Sequence, residues 1–132
     1  MSEEFHPYLT SISLKVVQLS ESEQFYDLLF KKVLDAKKYR SQNTISYWGS
    51  IGLTITEQKD IVSNPDPDYR LGFTQISIRV GSPAIVDQIY KEIVSHKYPY
   101  SWKPRSFDYS DGYYSTCLFD PDYNKIEILF TK

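Results

Sequence analysis

Cysteine is the most telling scarcity in this sequence: Cys117 stands alone among 132 residues. A single cysteine excludes an intrachain disulfide and suits a reducing compartment. An excess of one charge is missing as well. Lys plus Arg number 15 and Asp plus Glu 17, a formal net charge of −2. That balance leaves no basic footprint for nucleic acid and no polybasic segment for a membrane surface. No apolar run approaches the length of a membrane span. The opening Met-Ser-Glu-Glu-Phe-His has neither a basic start nor an apolar stretch, so no signal peptide is expected. These absences point to a cytoplasmic protein with neither nucleic acid nor a membrane as partner. Aromatic residues, in contrast, are plentiful: 12 Tyr, 7 Phe and 2 Trp. Many fall between Tyr98 and Tyr114. An apolar fraction of 41% in a chain of this length fits one globular domain, residues 1–132, able to bury a core without staples.

The chain also contains a faint copy of itself. Ser11-Ile-Ser-Leu-Lys-Val16 recurs 64 positions later as Gln75-Ile-Ser-Ile-Arg-Val80. The same offset carries Phe25-Tyr26 onto Ile89-Tyr90 and Leu29-Phe30 onto Ile93-Val94. One repeat of this size means two similar halves rather than an array. In the first half, Ile12, Leu14 and Val16 alternate with polar residues, as in a half-buried strand. Ser20 and Glu23 have capping-box spacing, and Phe25, Leu28, Leu29 and Val33 follow at helical spacing. Three short strands are expected at 36–41, 44–49 and 51–57. The Pro/Asp-rich stretch 58–71 reads as a linker. In the second half, a strand at 74–80 precedes Ser82-Pro83, an N-cap followed by proline at the first helical position. Val86, Ile89, Tyr90 and Ile93 form the helix stripe. A loop at 96–104, a short strand at 105–109, a strand at 113–119, a turn at 120–124 and a last strand at 125–131 complete it. Along that last strand, Ile126, Ile128 and Phe130 face one way and Glu127 and Leu129 the other.

Three segments of this pattern resemble a known family. Gly112-Tyr113-Tyr114 followed by a strand and Asp120-Pro121-Asp122-Tyr123-Asn124-Lys125-Ile126-Glu127 resembles a late signature of the vicinal oxygen chelate superfamily, with Tyr123 in place of the usual glycine. That superfamily includes glyoxalases, extradiol dioxygenases and bleomycin-resistance proteins. Gly72 to Val80 resembles the strand opening its second module, and Phe25-Tyr26-Asp27-Leu28-Leu29 its first helix. The resemblance covers about residues 9–131. It implies an α+β fold of two β-α-β-β-β modules, about 9–57 and 72–131, forming a curved mixed sheet around a shared cleft. It also implies either a metal-dependent lyase, isomerase or dioxygenase, or a metal-free protein that binds a small organic molecule. A catalytic domain turned to protein interaction is a third reading. Relatives are often dimers, so a homodimer is consistent with it.

In metal-using relatives, four inward side chains hold one divalent ion. The matching positions here are Ser11, Thr54, Gln75 and Glu127. This quartet is poor in donors: one carboxylate, one amide, two neutral hydroxyls and no histidine. A first-row transition ion wants imidazole, thiolate or several carboxylates. No tightly bound metal cofactor is therefore expected, although the superfamily allows a divalent ion. His6, in an N-terminal arm, and His96, at a helix-to-loop turn, match no ligand position and read as solvated residues. Glu127 is either a cleft carboxylate, able to act as general base or acceptor, or an exposed residue on an edge face. Gln75 is either a ligand contact or polar filler. Trp102, Arg105, Tyr109 and Tyr114 belong to the aromatic segment, which either borders the cleft and contacts a partly planar ligand or seals a loop or an interface. Arg105 could pair a ligand anion. Cys117 reads as buried and inert. The expected partner is a small molecule.

Overall fold

The computed structural model describes residues 9–59 and 75–132. His6, residues 60–71 of the linker and the first residues of the second module lie outside them. The first module runs β1 (Ser11–Val16), α1 (Leu19–Tyr26) continuing as a π-helical stretch (Asp27–Val33), β2 (Lys37–Arg40), β3 (Thr44–Trp48) and β4 (Gly52–Glu57). The second runs β5 (Gln75–Arg79), α2 (Pro83–Ser95), β6 (Tyr100–Ser106), β7 (Tyr114–Phe119) and β8 (Lys125–Phe130). Each module makes its own four-stranded mixed sheet, ordered β1-β4-β3-β2 and β5-β8-β7-β6. The repeat read from the sequence is therefore a repeat of topology.

Strand register extends the correspondence residue by residue. Ser11 pairs with Gly52 and Gln75 with Lys125, in parallel. Gly52 thus corresponds to Lys125 and Thr54 to Glu127, each 73 positions on. Tyr39 pairs with Ser46, and Trp102 with Cys117, as do Ser46 with Thr54 and Cys117 with Glu127. Tyr39 therefore matches Trp102, 63 positions on, and Ser46 matches Cys117, 71 on. The step from 63 to 71 locates most of the extra length of the second module. It enters in the register shifts of β6 and the turn between β6 and β7, which carries Phe107, Tyr109 and Tyr113.

Both helices cover one face of their sheets and leave the other open. On β1 and β4, Leu14, Val16, Leu53 and Ile55 turn toward the helix side, while Ser11, Ser13, Thr54 and Thr56 face outward. On β8, Ile126 and Ile128 turn inward to the core, as the alternation requires. One buried cluster runs through both modules, with Phe25, Leu29, Ile45 and Ile55 from the first and Val86, Ile89, Leu118 and Ile128 from the second. The modules also meet along α1. Phe25 packs edge-on to Tyr98, ring centroids 5.1 Å apart. The Tyr26 hydroxyl donates to Asp120 at 2.5 Å, and the Val17 amide donates to Asp122 at 3.2 Å.

Three local expectations need correction. Ser20 does not cap α1: the helix begins at Leu19 with Gln18 at the N-cap and no side-chain bond there. The Glu57 carboxylate accepts from the Leu19 amide instead (3.4 Å), and Glu23 is drawn to Lys38 and Arg40 at 2.7 and 2.6 Å. Two cations compete better for that carboxylate than a helix amide does. Next, the inward stripe is Phe25, Tyr26, Leu29 and Phe30, with Leu28 and Val33 only partly buried. The π-helical turn accounts for this. Its i→i+5 bond, Leu34 amide to Leu29 carbonyl (3.1 Å), widens the spiral so that neighbours 29 and 30 both face the core. Finally, residues 100–104 are strand rather than loop. Pro104 is tolerated because β6 shifts register between Trp102 and Arg105, where no ladder amide is required. The Ser82 cap of α2 forms as read, accepting from the Ile85 amide at 3.3 Å.

Candidate functional site

Glu127 sits mid-strand on β8, on the open face, yet is only 4% exposed. Four neutral groups bury it. Ser77 on β5 donates its hydroxyl to Oε1 at 2.7 Å, and Gln75 donates Nε2 to the same oxygen at 3.3 Å. Tyr113 and Ser115 donate their hydroxyls to Oε2, both at 2.9 Å. Each oxygen thus accepts two bonds, which accounts for a carboxylate's acceptor capacity. The network extends outward, because Trp102 Nε1 donates to Ser115 Oγ at 3.1 Å. Strand geometry makes this assembly. Ser77 is the cross-strand partner of Glu127 on β5 and Cys117 its partner on β7. Ser115 lies two residues from Cys117 and so shares its face.

Aromatic rings wall this cluster. Trp102 meets Phe107 edge-on at 5.8 Å. Phe107 stacks on Tyr109 at 5.0 Å, and Tyr113 stands edge-on to both, at 5.7 and 5.1 Å. Tyr109 remains 74% exposed. The Arg105 guanidinium lies 4.4 Å from the centre of the Phe107 ring, a cation–π contact. Burial, followed by the bond to Glu127, pushes the Tyr113 phenol up to about 12. Burial, reinforced by the Glu127 charge, pushes the Cys117 thiol up to about 12. Cys117 is therefore a protonated, inert packing residue.

The structure brings Gln75, Glu127 and Trp102 into one network, with Tyr109 and Arg105 on its aromatic wall. Ser11 and Thr54 occupy the equivalent face of the first sheet. Thr54 bonds the Ser46 hydroxyl at 3.0 Å and Ser11 is exposed. Tyr114 does not belong to this face. It points to the helix side, where its hydroxyl donates to Asp87 on α2 at 2.6 Å. That bond, with burial second, pushes its phenol up to about 12. Alternation along β7 explains the misplacement, since Tyr114 and Ser115 must face opposite ways. Tyr98 and Tyr100 also leave the site, for Phe25 and Tyr90. Sequence reasoning missed Ser77, Ser115 and Tyr113 as partners of Glu127. Counting by twos from Gln75 would have found Ser77; the strand pairing behind Ser115 carries no local signal.

The donor set does not fit a transition ion. Both Glu127 oxygens are already satisfied, and Ser11, Thr54 and Gln75 offer only neutral oxygens. Among the described residues, no cluster of three or more His, Cys, Asp or Glu side chains could hold a metal. His96 stays at the end of α2, its ring nitrogen 2.8 Å from the Glu92 carbonyl. No helix among the described residues is long and apolar enough to cross a membrane.

No protein-family model matches the chain, and no curated protein does either. Solved structures match it along nearly its whole length. A candidate glyoxalase from Bacillus halodurans is 24% identical, with 92% of this chain and 94% of that one covered and a TM-score of 0.77. A glyoxalase/bleomycin resistance protein from Albidiferax ferrireducens is 19% identical, covering 94% and 98%, with a TM-score of 0.76. A glyoxalase/dioxygenase from Nostoc punctiforme is 14% identical, covering 100% and 99%, with a TM-score of 0.75. The chain thus has the glyoxalase-like α+β fold of paired modules that the sequence resemblance implied.

Proposed function

We propose that this protein binds a small, partly planar organic molecule that donates hydrogen bonds, in the cleft bordered by the open sheet faces, without a tightly bound transition metal. The observation that carries the reading is the buried Glu127 carboxylate, held by four neutral donors beneath an aromatic wall. A hydroxyl that donates to Glu127 keeps its lone pairs as acceptors. Exposed Ser77 also accepts from Gln75 Nε2 at 3.1 Å and so keeps one lone pair. The Gln75 amide oxygen adds a second acceptor, and the carboxylate behind them adds negative potential. Trp102 and Tyr109 supply apolar contact with polar tips. Arg105 favours a ligand that also carries an acidic group at the rim. Ser11 and Thr54 offer neutral hydroxyls where the ligand reaches the first sheet.

Calorimetric titration of a panel of aromatic metabolites tests this. Stacking on one aromatic face is worth about 0.5–1.5 kcal/mol beyond burial, so Trp102→Ala should weaken the best binder roughly two- to tenfold. Glu127→Gln should weaken cationic or donor-rich members of the panel and spare anionic ones. A best binder indifferent to both substitutions overturns the assignment. Elemental analysis finding near-stoichiometric zinc, nickel, iron or manganese, lost on Glu127→Ala, overturns the metal-free part.

A further inference from the structure

The first sheet carries an aromatic platform of its own. Strand pairing sets Trp48 directly opposite Gly52. A Cβ built on Gly52 would overlap three atoms of the indole's six-membered ring. The ring therefore lies across the Gly52 backbone, with one face on the glycine, and the residue is still 41% exposed. Glycine is needed here because any side chain would lift the ring. A tryptophan laid down in this way is a rigid apolar slab on the open face. The next row along the sheet, roughly 6.4–6.8 Å away at two residues per step, consists of Ser13, Thr54, Ser46 and Tyr39. Ser46 and Thr54 hydroxyls are 3.0 Å apart, Ser13 is exposed, and Tyr39 is 60% exposed.

We propose that this face binds a saccharide, the pyranose ring stacking on Trp48 and its hydroxyls meeting the Ser13–Thr54–Ser46 row. A pyranose has two unlike surfaces. Its axial C–H face is apolar and matches an indole slab; its equatorial rim is a ring of hydroxyls. Those hydroxyls both donate and accept, as do the serine and threonine hydroxyls of the row. Pairing them exchanges water bonds for equivalent ones without desolvating a charge. A flat aromatic molecule would cover the slab equally well but leave Ser13 and the outward donor of the Ser46–Thr54 pair unsatisfied once water is displaced. The inference rests on the reading that the open faces take ligands, since Thr54 is common to both, but it assigns the first sheet's face a ligand class of its own.

A Trp102→Phe variant leaves Trp48 as the sole tryptophan. Its emission, titrated with methyl glucoside, methyl galactoside, N-acetylglucosamine and cellobiose into the tens of millimolar, should change saturably with at least one of them. Saturation-transfer signals from that sugar's ring protons should weaken roughly two- to tenfold in affinity with Trp48→Ala. Thr54→Val preserves shape and should weaken it as well, which covers the case in which Trp48→Ala disturbs the sheet. The proposal is overturned if no sugar saturates the emission, if Trp48→Ala and Thr54→Val both bind as before, or if indole-3-carboxylate displaces every sugar. The two readings fail separately. Sugar binding that survives Glu127→Gln stands without the Glu127 ligand, and aromatic-metabolite binding that survives Trp48→Ala stands without the sugar.

Discussion

Four described residues, Asp35, Lys97, Gly112 and Tyr123, adopt the left-handed region of backbone space, and Gly112 and Tyr123 do so for different reasons. Gly112 has φ +72° in the turn before Tyr113, and Tyr123 has φ +62° in the turn before β8. A Cβ costs about 1–2 kcal/mol in that region, so Gly112→Ala should lower unfolding free energy by about that amount. The Lys132 side chain, 2.8 Å from where the new Cβ would sit, is flexible and can step aside, so the backbone term dominates. At Tyr123 the chain already bears that cost. The ring contact with Phe119, 5.9 Å between centroids, returns part of it. Tyr123→Gly removes both the strain and the contact and enlarges the unfolded ensemble by about 0.4–1 kcal/mol. It should therefore stay within about 1 kcal/mol of wild type. Urea denaturation of the two variants checks the contrast; equal losses would mean that the Tyr123 ring, not its backbone, sets the turn. Position 123 is where the sequence departs from the glycine of the pattern it resembles, and the structure keeps the backbone that glycine would have adopted.

At the level of elements, the turn between β7 and β8 joins the modules. Asp120 is buried and accepts from the Tyr26 hydroxyl, from the Asp122 and Asn124 amides (2.9 and 2.8 Å) and from Asn124 Nδ2 (2.9 Å). Burial nevertheless raises its carboxyl above the usual range, against the pull of those bonds. A raised folded pKa fixes the sign. The contribution is fully present below the unfolded value near 3.8 and is lost as pH rises through the folded value. Tyr26→Phe deletes a bond that favours the ionised form, so the folded pKa climbs further. Its deficit, about 1–3 kcal/mol for a buried acceptor stripped of a partner, should be larger at pH 7 than at pH 3.5. Paired denaturation curves at the two pH values measure this, and a pH-independent deficit would sink it. Much of this was out of reach of the sequence. Asp120 to Asn124 reads plainly as a turn, but that it reaches helix α1 of the other module depends on packing between residues 94 positions apart. The Glu23 ion pairs are missed for the same reason: local spacing around α1 does not contain β2, the strand that Lys38 and Arg40 come from. The β1, β5 and β8 alternations were legible because a half-buried strand writes its faces directly into its sequence.

Across the whole molecule, one topology carries two unlike faces. Thr54 and Glu127 hold the same place in the repeat, and each meets a residue of the opening strand, Ser13 and Ser77. The repeat relates Ser11 to Gln75, and the family resemblance adds Thr54 and Glu127 to the quartet, whereas the donors that bury Glu127 were signalled by neither. The two positions should differ sharply in weight. Thr54→Ala loses a single hydroxyl pair with Ser46, about 0.5–1.5 kcal/mol. Glu127→Ala removes the acceptor of Ser77, Gln75, Tyr113 and Ser115 together. Of these, Ser115 is fully buried, and stranding it costs about 1–3 kcal/mol by itself. The shared cluster and the Tyr26–Asp120 bond join the modules into one cooperative unit, so both losses should be read from a single unfolding transition. The expected order is Glu127→Ala well below Thr54→Ala, with coincident transitions followed by tryptophan emission and by far-ultraviolet circular dichroism. Equal losses would mean that water replaces Glu127 without cost. Two separated transitions would mean that the modules fold independently, and the α1 contacts would then be a docking surface rather than part of the core.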